Sequence, residues 1–193
     1  VRMPSHFVMR RIIELAGVPV AAPSANISGY PSPTTAKHVM ADMHGRISAV
    51  IDGGECEVGV ESTVVSFDDG DTVRILRPGI ISENDLMKVC RNVIIDENVF
   101  VPVNSSEKVK SPGMKYKHYS PHANVVLVDG SIEKFTEFVN EHNSDKVYSM
   151  IFDNDKNFPF KHLTYGNNST QQAHLVFSRL RELDEMGADT IYI

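Results

Sequence analysis

Three short polar motifs carry the side chains that could do chemistry in this chain of 193 residues. The first, Pro23-Ser24-Ala25-Asn26-Ile27-Ser28-Gly29, follows the apolar run Val18–Ala22 and leads toward Ser32-Pro33-Thr34. A polar loop between a strand and a helix offers free backbone N–H groups and faces the positive helix end, so it suits phosphate or carboxylate oxygens. Ser24, Asn26, Ser28 and Ser32 add hydroxyl and amide donors with little bulk. Composition alone favours a plainer reading, a capped turn whose polar groups satisfy one another. The second motif, Gly59-Val60-Glu61-Ser62-Thr63, enters a strand, where Ser and Thr are commonest as turn residues. The third, Arg77-Pro78-Gly79, closes a hairpin. An Arg there can pair with phosphate through its planar fork, as can Arg2, although exposed surface arginines are the commoner case.

Other chemistries fit poorly. Neither the GxxxxGK[ST] loop nor the GxGxxG fingerprint is present. His118 and His122 have the spacing of a zinc-binding helix, but Pro121 between them removes the helix, so no metal site is expected. Glu55, Glu57 and Glu61 are too loosely placed to argue for a paired-carboxylate acid–base site. The two cysteines, Cys56 and Cys90, make no disulfide framework; each is expected to be a buried, inert thiol in a reducing cytosol.

Periodicity supplies the elements that must position these motifs. His6–Ala16 reads as a helix with Val8, Ile12 and Leu15 on one face, stopped by Gly17. Val18–Ala22 and Ala49–Ile51 read as strands, and Ser32-Pro33 as the cap of a helix over Thr34–Met43. Ser62–Phe67 and Thr72–Leu76 predict a hairpin around Asp68-Asp69-Gly70. Ser82 with Asp85 starts a helix ending near Cys90. After residue 122 the pattern becomes strand Asn124–Val128, helix Ser131–His142, strand Lys146–Phe152, helix Gln171–Met186 and strand Thr190–Ile193. That alternation predicts a small parallel, Rossmann-like α/β unit.

Between the two halves lies Ser111-Pro112-Gly113-Met114-Lys115-Tyr116-Lys117-His118-Tyr119-Ser120-Pro121. Pro and Gly forbid a persistent helix or strand, yet Lys115–Tyr119 holds two tyrosines, a histidine and two lysines, unlike a plain linker. The charge is −6 overall, and it is uneven: 8 basic and 11 acidic groups in residues 1–90, 5 and 3 in 91–122, 6 and 11 in 123–193. An acidic total argues against a surface that coats nucleic acid. No apolar run approaches the ~20 residues that span a bilayer, and no membrane partner is expected.

These residues resemble the threonylcarbamoyl-AMP synthase family. Arg2–His6 (RMPSH), Pro23–Thr35 (PSANISG with SPTT), Asp52–Gly54, Glu61–Val65 (ESTVV) and Ile75–Gly79 (ILRPG) are similar to the C-terminal half of a YrdC-like domain. SPGMKYKHYSP at Ser111–Pro121 resembles the interdomain linker of the two-domain members, and the residues after Pro121 resemble the start of their smaller α/β domain. The resemblance implies a twisted-sheet YrdC-like part over residues 1–95, a linker over 96–122, and a C-terminal α/β domain over 123–193. It implies a cytoplasmic nucleotidyltransferase that joins L-threonine, bicarbonate and ATP, with Mg²⁺, into threonylcarbamoyl-adenylate and pyrophosphate. The product would pass to the machinery that modifies the adenosine 3′ of certain anticodons, with direct tRNA binding left open.

Matched residue by residue, the resemblance implies that Arg2, Ser62 and the backbone at Ala22 bind threonine. It gives Ser24, Asn26, Ser32, Arg77 and Tyr119 to ATP, and His118 and Tyr116 to a lid closing with Tyr119. The family's Lys-x-Arg strand and the last C-terminal elements have no counterpart here, so the chain is expected to be a piece that is inactive alone. A non-catalytic RNA- or nucleotide-binding module is the rival. Its only basic stretch would be Lys108, Lys110, Lys115 and Lys117, without stacking aromatics at RNA-binding spacing.

Overall fold

A computed structural model describes residues 4–99 and 120–193. Helix α1 (Phe7–Ala16) ends where Gly17 takes the left-handed conformation at φ 64° and returns its N–H to the Ile13 carbonyl. Side chains adopt that region at a cost, and glycine does not. The expected apolar stripe is only partly covered: Val8 and Ile12 are half-buried, whereas Phe7 and Leu15 are 77% and 71% exposed. Val18–Ala22 and Ala49–Ile51, expected as strands, are not strands. An extended segment becomes a strand only when a neighbour completes its ladder, and no described strand pairs with either.

Helix α2 (Ala36–Met43) is capped by Thr35, whose hydroxyl accepts from the His38 N–H. The expected cap, Ser32, is instead engaged by Glu61. Strands β1 (Val64–Phe67) and β2 (Thr72–Arg77) form the antiparallel hairpin the sequence predicts. Its turn is held by Asp69, which accepts from the N–H groups of Asp71 and Thr72. Helix α3 (Glu83–Met87) opens with the reciprocal Ser82–Asp85 capping box. Beyond it, β3 (Asn92–Ile95) lies parallel to β2, giving the order β1-β2-β3, with Val73, Ile75 and Leu76 buried.

The C-terminal unit comprises β4 (Asn124–Val126), α4 (Ile132–His142), β5 (Val147–Ile151), β6 (His162–Thr164), α5 (Ser169–Glu185) and β7 (Thr190–Tyr192). Its four strands are all parallel, in the order β4-β7-β5-β6. Alternation along β5 decides the layering. Tyr148 and Met150 pack with Leu180 and Leu183 of α5, while Val147 and Ile151 pack with Phe135 and Val139 of α4. The helices therefore cover opposite faces, and β5 is buried throughout. The molecule is an α/β fold with a Rossmann-like parallel sheet. Among the described residues no helix is long and apolar enough to cross a membrane.

The thiols differ from expectation: Cys56 is exposed and Cys90 half-buried. Cys56 stands on an irregular segment, tied by its N–H to the Thr34 carbonyl.

Candidate functional site

An open cleft of about 590 Å³ lies where the first polar loop, the second motif and the end of the hairpin meet. Ala22, Pro23, Ser24, Ala25, Ser32 and Pro33 form one wall, with Val39 of α2. Val58, Gly59, Val60, Glu61 and Ser62 form the other, and Arg77 closes the end.

Each wall is built locally. Asn26 donates its amide to the carbonyls of Ile27 (2.9 Å) and Tyr30 (3.0 Å), folding the chain back after Ser24. Asn26 is not among the lining residues, and its Oδ1 is buried without a hydrogen-bond partner. The structure thus brings Ser24, Ser32, Ser62, Arg77 and Ala22 to one cleft and leaves Asn26 behind the loop. Pro31 and Thr34 are buried, and His38 sits against Thr34, its Nδ1 3.3 Å from the Thr34 N–H that donates to it. Burial, and then the nearby Arg181 charge, lower the His38 pKa and favour the neutral ring.

The opposite wall depends on Arg77. Its Nε and Nη2 donate to the Ser62 carbonyl at 3.1 and 2.9 Å, and Nη2 also reaches Ser62 Oγ at 3.3 Å. The turn behind it needs glycine. A Cβ on Gly79 would fall 2.3 Å from the Glu61 carbonyl oxygen, so Arg77-Pro78-Gly79 packs directly on the second motif. Glu61 joins the walls: it accepts from the Ser32 hydroxyl and stands 3.9 Å from Arg77 Nη2. Sequence reasoning gave Glu61 no role. The available signal was its place beside Ser62 in the ESTVV motif. Of the remaining expected residues, Arg2, Tyr116, His118 and Tyr119 lie outside the described residues. At the exit of that segment, Ser120 donates to the Gly29 carbonyl (2.9 Å), and the His122 ring meets Tyr30 edge-on at 4.5 Å.

Loops rich in hydroxyls and backbone N–H groups, with a guanidinium whose Nη1 has no partner among the described residues, suit an anionic ligand. Comparison with known proteins gives the family. Residues 1–79 match the Sua5–YciO–YrdC family, described as telomere recombination, and residues 81–193 match the C-terminal domain of threonylcarbamoyl-AMP synthase. The chain belongs to the threonylcarbamoyl-AMP synthase family. The change from one family match to the other at residue 80 falls before α3 and β3, although β3 completes the sheet of β1 and β2. The chain is 39% identical to the threonylcarbamoyl-AMP synthase of Pyrococcus abyssi, over 99% of its own length and 56% of that protein's. The Bacillus subtilis synthase is 36% identical over 99% and 56%, and the Schizosaccharomyces pombe synthase 38% over 100% and 52%. The chain thus spans about half the length of the curated family members it matches. The crystal structure of Pyrococcus abyssi Sua5 in complex with L-threonine superposes with a TM-score of 0.86 at 37% identity, covering 99% of this chain and 56% of that one.

Proposed function

We propose that the cleft forms part of a site where L-threonine, bicarbonate and ATP are joined into threonylcarbamoyl-AMP with release of pyrophosphate. The observation that carries this reading is the meeting of Ser24, Ser32, Ser62 and Arg77, from separate stretches of sequence, on one open cleft. In the reaction, the threonine amine condenses with bicarbonate to a carbamate and water. A carbamate oxygen then attacks the α-phosphorus of ATP, the bond to the bridging oxygen breaks, and pyrophosphate leaves. No protein group needs to become covalently attached. The residues therefore act by holding two reactants in line and by stabilising charge on phosphate oxygens.

Ser62, the Ala22 backbone and Arg2 hold threonine. Ser24 and Ser32 offer hydroxyls to the nucleotide, and Asn26 shapes the loop that presents Ser24. Arg77 has spent Nε and Nη2 on Ser62, while Nη1 has no partner among the described residues and keeps its N–H donors for a phosphate oxygen. Mg²⁺ enters with ATP as part of that substrate. Glu61, the one carboxylate among the described lining residues, is already engaged by Ser32 and Arg77. Tyr119, with His118 and Tyr116, closes over the nucleotide and keeps water from the mixed anhydride. In this proposal the chain divides into a YrdC-like part (1–95), a linker (96–122) and a C-terminal domain (123–193). The reaction takes place in the cytoplasm, where the product passes to the tRNA-modifying machinery.

Calorimetric titration of the full-length protein tests these assignments. Loss of one hydrogen bond is worth about 0.5–1.5 kcal/mol. Ser62→Ala should therefore weaken L-threonine binding by up to roughly tenfold with ATP affinity nearly unchanged, and Ser24→Ala should do the reverse. Variants that leave both affinities at the wild-type value would remove the assignments.

A further inference from the structure

Helix α5 touches both walls of the cleft. In its first half the Ala173 carbonyl accepts from the N–H groups of Gly59 (2.9 Å) and Val60 (3.0 Å). His174 Nδ1 lies 2.9 Å from the Glu57 carbonyl, and a Cβ on Gly59 would fall 2.2 Å from the His174 carbonyl oxygen. The Val58–Ser62 wall thus rests on helix backbone with no room for a side chain at Gly59.

Eight residues on, about two turns along the same helix, Arg181 reaches the other wall. Its Nε and Nη2 donate to the Pro31 carbonyl at 3.0 and 2.5 Å, and Nη1 and Nη2 donate to the two oxygens of Asp42 at 3.0 and 2.7 Å. Asp42 in turn accepts from the Ile27 N–H at 3.3 Å, and the guanidinium stands 5.9 Å from the centre of the Tyr30 ring. One guanidinium therefore fixes three points, Ile27 through Asp42, Tyr30 and Pro31, in the stretch between Ser24 and Ser32. Both charged side chains are 7% exposed. Burial raises the Asp42 pKa, but the bond and charge of Arg181 outweigh it and hold the carboxyl below its ordinary range.

Desolvation cancels much of what such a pair gains, so stability alone does not explain it; an apolar substitute of similar volume often serves as well. Direction is what the apolar substitute lacks. A planar fork meeting a carboxylate and a carbonyl at once fixes their relative position. We propose that Arg181 is a positioning residue for the substrate cleft: it sets the Ser24–Ser32 wall against the Val58–Ser62 wall through α5, so that the C-terminal α/β unit governs the cleft's geometry. This inference rests on the function proposed above.

The test uses the full-length protein with ATP and L-threonine as probes, comparing wild type, Arg181→Lys, Arg181→Met and the double variant Arg181→Met with Asp42→Leu. Binding of ATP, KM, kcat and thermal unfolding are measured on each. Arg181→Met should raise the Kd and KM for ATP at least tenfold, with a smaller change in kcat. Arg181→Lys, which can meet either Asp42 or Pro31 but not both as a fork, should recover only part of that loss. The double variant removes the stranded carboxylate. It should regain thermal stability and not ATP affinity, a separation that a merely structural role would not produce. Affinity within twofold of wild type in Arg181→Met, or affinity and stability restored together in the double variant, would overturn the inference while the functional reading stands. A wild-type protein that binds neither ATP nor L-threonine would overturn the functional reading, and this inference with it.

Discussion

Removing the Glu61 carboxylate should unfasten the two walls of the cleft, and its cost can be worked from the contacts. Glu61 accepts from the Ser32 hydroxyl and pairs with Arg77 at 3.9 Å, the two charged side chains being 19% and 12% exposed. At 3.9 Å and with both groups mostly buried, desolvation offsets most of the attraction, so the ion pair contributes only ~0–1 kcal/mol. A hydrogen bond to a charged acceptor contributes more, about 1.5–3 kcal/mol. Arg77 is not left stranded, because its bonds to the Ser62 carbonyl persist. Glu61→Ala should therefore destabilise the chain by about 1.5–4 kcal/mol, and Glu61→Gln, which keeps an acceptor for Ser32 and loses only the charge, by about 1 kcal/mol. Urea unfolding of both variants gives the comparison, through the midpoint at an unchanged slope. An alanine variant within about 0.5 kcal/mol of wild type, or a glutamine variant as damaging as alanine, would refute the claim that Glu61 joins the walls.

Gly59→Ala forces a Cβ to 2.2 Å from the His174 carbonyl oxygen, so α5 or the cleft wall must shift; a loss of about 1–3 kcal/mol is expected in the same unfolding assay. Leu183, fully buried between α5 and the parallel sheet, should cost about 2–5 kcal/mol on truncation to alanine, read as a lower melting temperature. His38 has its pKa lowered by burial and then by Arg181, so the folded state binds its proton less readily than the unfolded chain does. Its contribution is present above the ordinary histidine value of about 6.5 and is lost as pH falls below it. Unfolding midpoints measured on either side of that value should fall toward acid for wild type and fall less for His38→Gln, and an identical slope in the two proteins would contradict the assignment.

Local signals made much of the fold legible. The Asp69 turn, the Ser82–Asp85 capping box and the Gly17 stop are written within a few residues of one another, and each forms as expected. The helices of the C-terminal unit were readable because their inward residues repeat at helical spacing, as Phe135 and Val139 or Leu180 and Leu183 show. Strands β3 and β6, of four and three residues, were not expected from their sequence. Each exists because a parallel neighbour completes its ladder. Ser32 carries the residue type of a helix cap, yet Glu61, 29 positions away, takes its hydroxyl and leaves the capping to Thr35. Asn26 has the right chemistry for a ligand, but its amide is spent on the Ile27 and Tyr30 carbonyls. The Arg181–Asp42 pair joins positions 139 apart, and no local pattern near either residue announces it. Tertiary contact decided each of these.

We have proposed that this cleft belongs to a threonylcarbamoyl-adenylate-forming site. The most direct measurement incubates the full-length protein with labelled ATP, L-threonine and bicarbonate, and follows pyrophosphate and the nucleotide product together. Pyrophosphate release that requires both threonine and bicarbonate, in step with threonylcarbamoyl-AMP and reduced in Arg77→Met, is the result expected. Pyrophosphate released equally without threonine, or no nucleotide product carrying the threonine label, would contradict it.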